Sequence, residues 1–74
     1  MSNFPVVSGK QAVKAFIKAG WSLRGQVGSH MVLTKPGMKA NLSIPNHKVL
    51  AAGTLRRLIR SAGMDISNFI DLIK

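Results

Sequence analysis

The chain has 74 residues, no cysteine, and a formal net charge of +9 from 11 lysines and arginines against 2 acidic residues. This length predicts a single domain over residues 1–74 with a small core, and the missing cysteines exclude a disulfide framework. The sequence has no secretory leader pattern and no apolar run near the ~18 residues of a membrane span, so we expect a cytoplasmic protein whose basic surface binds nucleic acid.

The first predicted element is a helix that begins after Ser8 and ends at Gly20. Ser8 and Gln11 have the spacing of a capping box, in which each side chain accepts a hydrogen bond from the backbone N–H of the other residue. Phe16 and Ile17 lie at helical spacing within it, and Gly20 is a natural end for the helix. The pattern places Phe16 in the core.

Three strands are predicted next, over residues 21–27, from residue 30 or 31 to residue 35, and over residues 38–44. The turn pair Pro36-Gly37 ends the second strand. Short connections indicate an antiparallel meander, with one face packed on helices and the other face polar. Alternation places the following residues on the packed side: Trp21, Leu23, Val27, Met38, Ala40, Leu42 and Ile44.

One titratable group lies where the first turn meets the second strand. His30 follows Gly28-Ser29 and precedes an apolar run. The chain has one other histidine, His47, and it has no tyrosine or cysteine. His30 is therefore the first candidate for acid–base chemistry, and the alternative is a turn histidine without a role.

The register of the first two strands depends on the turn before His30. A two-residue turn pairs Val27 with His30 and sets Leu33 opposite Arg24, on the polar side. A three-residue loop pairs Val27 with Met31 and keeps Leu33 with the apolar set, and we predict this second register. His30 then lies exposed at the end of the loop, close to the polar face. That face carries Arg24, Gln26 and Asn41.

Two helices complete the pattern, and they make the predicted order α-β-β-β-α-α, an α+β domain. Gly53 or Thr54 caps the start of the first and Gly63 its end, while Asp65 caps the second. Apolar residues at helical spacing are Leu55, Leu58, Ile59 and Ala62 in the first helix, and Ile66, Phe69, Ile70 and Ile73 in the second. The outer face of the first carries Arg56, Arg57 and Arg60.

Five short segments follow one another in a familiar order. They are Ala19-Gly20-Trp21, Gly28-Ser29-His30, Ile44-Pro45-Asn46-His47-Lys48, Gly53-Thr54-Leu55-Arg56 and Ala62-Gly63-Met64. Together, over nearly the whole chain, they resemble the HicA (YcfA-like) family of toxin–antitoxin ribonucleases. The resemblance implies a double-stranded-RNA-binding-domain-like fold, α-β-β-β-α with a short C-terminal helix and a three-stranded antiparallel sheet. It also implies mRNA cleavage by His30 and neutralisation by a HicB-type antitoxin.

The residues themselves favour RNA cleavage without a metal or cofactor. The only carboxylates are Asp65 and Asp71, too few for a two-metal site, and two histidines without cysteine or glutamate do not make a zinc site. In the remaining chemistry, the 2′-hydroxyl of the RNA attacks the adjacent phosphate. His30 takes the 2′-hydroxyl proton or donates one to the leaving 5′-oxygen. The predicted RNA-binding residues are Arg24, Lys39, Lys48 and Arg56.

These observations predict the toxin of a type II toxin–antitoxin system, an endoribonuclease that inhibits translation by cleaving single-stranded mRNA. The main alternative is a non-catalytic basic RNA-binding module. A third hypothesis is a small DNA-binding protein that uses the helix with Arg56, Arg57 and Arg60. His47 either takes part in catalysis or only forms hydrogen bonds in its turn.

Overall fold

The computed structural model describes residues 4–74, and its elements follow the predicted order. They are α1 (Gly9–Lys18), β1 (Ser22–Val27), β2 (His30–Thr34), β3 (Leu42–Pro45), α2 (Ala52–Ser61) and α3 (Ile66–Ile73). The strands form one antiparallel sheet in the order β1-β2-β3, which confirms the α+β class. In the described part of the chain, no helix has the length and apolar character needed to cross a membrane.

The buried apolar side chains form one cluster, to which all three helices and the strands β2 and β3 contribute. Phe16 of α1 and Phe69 of α3 meet at its centre, with ring centroids 5.2 Å apart and planes tilted by 48°. Phe16 and Trp21 are both buried, as the apolar pattern predicts. Each large apolar side chain contributes about 1.5–3 kcal/mol when fully buried, so these rings stabilise the stacking of helices on the sheet.

Helix α1 has both of its predicted ends. The Ser8 N–H donates to Gln11 Oε1 at 2.8 Å, and the Gln11 N–H donates to Ser8 Oγ at 3.0 Å, which completes the capping box. Gly20 adopts a φ of 103°, and the Trp21 N–H donates back to the Phe16 carbonyl at 3.0 Å. This hydrogen-bond pattern closes the helix and directs Trp21 into the core.

Helix α2 begins two to three residues earlier than expected. Its N-cap is Ala51, which provides no side-chain hydrogen bond, so the prediction of Gly53 or Thr54 as the cap is wrong. The preceding residue, Leu50, is buried, and its N–H donates to the Val7 carbonyl at 2.8 Å. This tertiary anchor sets where the helix starts, although no local capping residue marks the position.

The other two predicted helix ends are confirmed. Gly63 follows α2 with a φ of 72°, and its N–H donates to the Arg60 carbonyl at 3.0 Å. At the start of α3, Asp65 accepts hydrogen bonds from the Asn68 N–H at 3.0 Å and from Ser67 Oγ at 2.9 Å. The amide of Asn68, and then the hydroxyl of Ser67, lower the pKa of Asp65 because they stabilise its charged form.

The turn before His30 has two residues, so the predicted three-residue loop is wrong. Val27 pairs with His30, and Gly28 has the positive φ of 60° that a tight hairpin turn requires. The register then shifts between Leu23 and Gly25, which leaves Arg24 outside the ladder in a bulge. Because of this shift, Leu23 pairs with Leu33, and the apolar pairing is recovered by a bulge instead of a longer loop.

Two further expectations about the sheet are wrong. All six residues of β1 are exposed, with Leu23 at 48% and Val27 at 73%, so this strand is not half-buried. The bulge reverses the alternation within β1 and puts Val27 on the face of His30, and β1 is one of the two edge strands. The third strand starts at Leu42 rather than Met38. A turn closed by the Met38 N–H and the Lys35 carbonyl at 3.1 Å follows β2, and the pairing with β2 includes none of residues 38–41.

Candidate active site

His30 opens onto a cleft between β3 and α2 with a volume of about 370 Å³. This volume lies within the ~300–1,000 Å³ range of ligand pockets. Besides His30, the cleft is lined by Asn41, Leu42, Ser43, Pro45, Thr54, Arg57, Leu58 and Ser61. Its wall therefore combines one imidazole, one guanidinium group, three hydroxyl groups and one amide.

The backbone around His30 is fixed on both sides. His30 is the first residue of β2 and pairs with Val27 on one neighbouring strand and with Pro45 on the other. The Asn46 N–H donates to the Ser29 carbonyl at 2.7 Å, which extends the pairing past the end of β3 into the turn. His30 is exposed, as predicted, on a rigid part of the sheet.

The imidazole of His30 forms no hydrogen bond with another side chain or with the backbone of residues 4–74. Both ring nitrogens are therefore available to a ligand in the cleft. A histidine in this state can donate a proton from one nitrogen and accept one at the other.

The end of β3 that borders His30 is held by the start of α1. The Gly9 N–H donates to the His47 carbonyl at 2.9 Å. A Cβ atom on Gly9 would collide with the Pro45 carbonyl, so glycine permits the helix to approach this closely. Since Pro45 lines the cleft, this contact helps to set the shape of the site.

Only one of the polar neighbours predicted for His30 lines its cleft. Asn41 is present, but Arg24 lies in the bulge of β1 and does not line it. Gln26 pairs with Met31, on the other face of the sheet from His30, and its Nε2 donates to the Gly28 carbonyl at 2.9 Å. Arg57 was not predicted to lie near His30, because the sequence pattern placed it only on the outer face of a helix. The polar residues at 54, 57 and 61 share a helical spacing that could have indicated this face.

The four predicted RNA-binding residues are exposed but lie outside the His30 cleft. Arg24 is in the bulge of β1, and Lys39 is in the loop before β3. Lys48 lines another pocket, together with Ser8, Lys10, Asn46 and His47. The Arg56 guanidinium carbon lies 4.5 Å from the centroid of the Phe4 ring. The two histidines thus belong to separate pockets.

Within residues 4–74, no three His, Cys, Asp or Glu side chains come close enough together to hold a metal ion. Asp65 caps α3, and Asp71 Oδ1 lies 3.8 Å from Lys74 Nζ. Both carboxylates are thus engaged at α3, and neither lines the His30 cleft. Among the described residues, no acidic side chain lines the cleft beside Arg57.

The family comparison covers this entire site. A family model described as "HicA toxin of bacterial toxin-antitoxin" matches residues 9–64, a range that contains every residue lining the cleft. Among curated proteins, no significant match is found.

Proposed function

The chain belongs to the HicA toxin family of bacterial toxin–antitoxin systems, and we propose that it is a metal-independent endoribonuclease that cleaves mRNA in the cytoplasm and so inhibits translation. One observation supports this activity above the others. An exposed histidine without a protein partner shares a cleft with an arginine, on a chain of net charge +9. Such a site combines a proton-transfer group with a cation that attracts phosphate.

In the proposed reaction, the 2′-hydroxyl oxygen of the RNA attacks the neighbouring phosphorus, and the bond from phosphorus to the 5′-oxygen breaks. His30 accepts the proton of the 2′-hydroxyl or donates a proton to the leaving 5′-oxygen. A positioned acid or base of this kind accelerates a reaction by about 10²–10⁴-fold. The products carry a 2′,3′-cyclic phosphate and a 5′-hydroxyl group, and DNA is resistant because it has no 2′-hydroxyl.

Binding of the RNA is proposed to rest on phosphate contacts outside the cleft. Arg24, Lys39, Lys48 and Arg56 are exposed and lie on separate elements of the fold. Cations spread in this way can contact successive phosphates of a single strand without reading its bases. Because none of the four lines the cleft, we expect substitutions to separate binding from cleavage.

Family membership implies a HicB-type antitoxin as the partner of this chain. We place the antitoxin over His30 and the surrounding basic surface. An antitoxin in that position blocks both the cleft and the approach of RNA. Opposite charge on the antitoxin would speed its association with a toxin of charge +9.

The decisive experiment compares His30→Ala with His47→Ala, a matched control that removes the histidine of the other pocket. Wild-type protein and His47→Ala should cleave single-stranded RNA in EDTA and leave 2′,3′-cyclic phosphate ends. His30→Ala should lose activity by about 10²–10⁴-fold. It should keep its fold, because substitution of an exposed residue usually changes stability by less than about 0.5 kcal/mol. It should also keep its RNA affinity, because the proposed phosphate contacts lie outside the cleft.

The pH profile provides a second readout of the same reaction. The wild-type rate should change with pH because His30 transfers a proton, and the residual rate of His30→Ala should lose this dependence. Cleavage by His30→Ala within a few-fold of wild type would show that the assignment is wrong. Loss of wild-type cleavage in EDTA, with recovery in Mg²⁺, would contradict the metal-independent mechanism.

The same variants test the alternative of a non-catalytic RNA-binding module. That alternative is favoured by the position of the four cations, which lie outside the His30 cleft. A binding module would cleave no RNA in any form, and wild type and His30→Ala would arrest growth equally.

A further inference from the structure

Arg57 is the one arginine or lysine among the described residues that line the His30 cleft. It shares a face of α2 with Thr54, Leu58 and Ser61, which follow the helical spacing i, i+3, i+4 and i+7. This face borders β3 across the cleft. The guanidinium group therefore lines the same space of about 370 Å³ as the imidazole.

Arg57 forms no side-chain hydrogen bond or ion pair with the described part of the chain. Its neighbour Arg56 differs, because that side chain lies over the ring of Phe4. Neither carboxylate of the chain reaches the cleft, since Asp65 caps α3 and Asp71 faces Lys74. Arg57 is exposed and unpaired within residues 4–74, so its guanidinium group is free to bind an anionic ligand.

The chemistry of the guanidinium group indicates which ligand this is. Its planar fork of N–H donors matches two oxygens of one phosphate and forms a bidentate pair. An arginine side chain supplies positive charge without exchanging protons in catalysis. In the same cleft, the imidazole of His30 can accept or donate a proton.

We propose that Arg57 binds the phosphate on which His30 acts, an inference that rests on the ribonuclease function proposed above. As the 2′-oxygen attacks phosphorus and gives up its proton, negative charge builds up on the two non-bridging oxygens. Arg57 stabilises that charge with two parallel N–H donors. The bond to the 5′-oxygen then breaks and the 5′-oxygen gains a proton. His30 carries out one of the two proton transfers and solvent water the other, while Arg57 is unchanged.

The test compares Arg57→Gln with Arg60→Gln, which removes the same charge from the same helix one turn further along, outside the cleft. Single-turnover cleavage should fall by about 10²-fold or more for Arg57→Gln, the usual effect of losing one donor to a developing oxyanion. Arg60→Gln should stay within a few-fold of wild type. Arg57→Lys should recover part of the rate, because it keeps the charge and loses the bidentate geometry.

Two control measurements exclude a merely structural role for Arg57. The melting temperatures of both glutamine variants should equal that of wild type, since both side chains are exposed. The pH profile of Arg57→Gln should keep its wild-type shape at a lower rate, because His30 still transfers the proton. A rate for Arg57→Gln equal to that of Arg60→Gln would overturn the inference while leaving the ribonuclease function intact.

A binding measurement separates this inference from the ribonuclease function. The probe is a short single-stranded RNA with every 2′-hydroxyl methylated, which cannot react. On titration, the NMR signal of the Arg57 side-chain N–H should shift, and that of Arg60 should not. This result would support Arg57 as the phosphate ligand even if no cleavage were found, whereas an unchanged Arg57 signal would overturn it.

Discussion

At the scale of single residues, the two histidines differ in the side chains that share their pockets. His30 shares its cleft with Arg57 and three hydroxyl groups, whereas His47 shares its pocket with Lys10 and Lys48. The His47 carbonyl is also committed to the start of α1. Local position along the chain does not reveal this difference, since both histidines follow turn residues.

The contribution of a single lysine or arginine to RNA binding should be measurable through the salt dependence of the affinity. Each phosphate neutralised on a single strand contributes about −0.7 to the slope of log affinity against log salt concentration. Lys39→Ala and Arg56→Gln should each flatten that slope by about this amount, whether or not the RNA is cleaved. Non-cleavable methylated RNA and fluorescence anisotropy are suited to the measurement.

Lys74→Ala is the control for these two variants, because Lys74 lies next to Asp71 at the end of the chain. It should leave the slope unchanged. If neither Lys39→Ala nor Arg56→Gln changes the slope, the RNA follows another path. The next candidates are the exposed lysines of α1, Lys10 and Lys14.

At the scale of elements, the two longest helices begin in opposite ways. α1 has a complete capping box from Ser8, whereas the N-cap of α2, Ala51, forms no side-chain hydrogen bond. The backbone of Ala51 nevertheless has the extended conformation of an N-cap, with φ −60° and ψ 141°. A residue with a side-chain oxygen fits this position without backbone change.

Ala51→Ser should therefore stabilise the protein, and Ser8→Ala should destabilise it, each by about 1 kcal/mol. For a chain of this size, such a change shifts the melting temperature by about 4–8 °C, in opposite directions for the two variants. Thermal unfolding followed by circular dichroism measures both shifts. A decrease for Ala51→Ser would show that the start of α2 does not accept a cap.

The contrast between these helix ends shows what the sequence alone could predict. Ser8, Gly63 and Asp65 act on their own backbone neighbours, so local pattern was sufficient to identify them. The start of α2 depends on a buried anchor from another segment, and the register of β1 depends on the bulge at Arg24. Both are decided by packing between distant segments, which no local pattern encodes.

The candidate site likewise combines a feature set by local sequence with features set by packing between distant segments. His30 could be chosen from composition and from its position after a turn. Of its cleft neighbours only Asn41 was predicted, because the cleft forms only when α2 packs beside β3. The predicted neighbours Arg24 and Gln26 are close to His30 in sequence, whereas Arg57 is distant in sequence and shares its cleft.

At the scale of the whole molecule, acidic and basic side chains are distributed differently along the chain. Both carboxylates lie at α3, whereas the 11 lysines and arginines are spread along the chain. Because neither aspartate lines the cleft in the described part of the chain, we expect its surface to attract anions. If the antitoxin is acidic, we expect it to compete with RNA for this surface.

The surface around His30 also offers an apolar contact to an antitoxin. Val27 is 73% exposed and pairs directly with His30 in the ladder. Charge usually sets the rate of association, whereas a well-packed apolar centre slows dissociation. An antitoxin seated over His30 would thus be attracted by the basic surface and held in part by Val27.

Val27→Asp should therefore weaken a complex with a co-expressed HicB-type antitoxin, through faster dissociation. Val6→Asp is the matched control, because Val6 is 77% exposed and precedes α1, outside the cleft lining. Biolayer interferometry at two salt concentrations should give a wild-type association rate that falls with salt and a Val27→Asp dissociation rate well above that of Val6→Asp. Equal dissociation rates for the two variants would place the antitoxin away from His30, and then neutralisation would have to act through the shape of the cleft instead of by covering it.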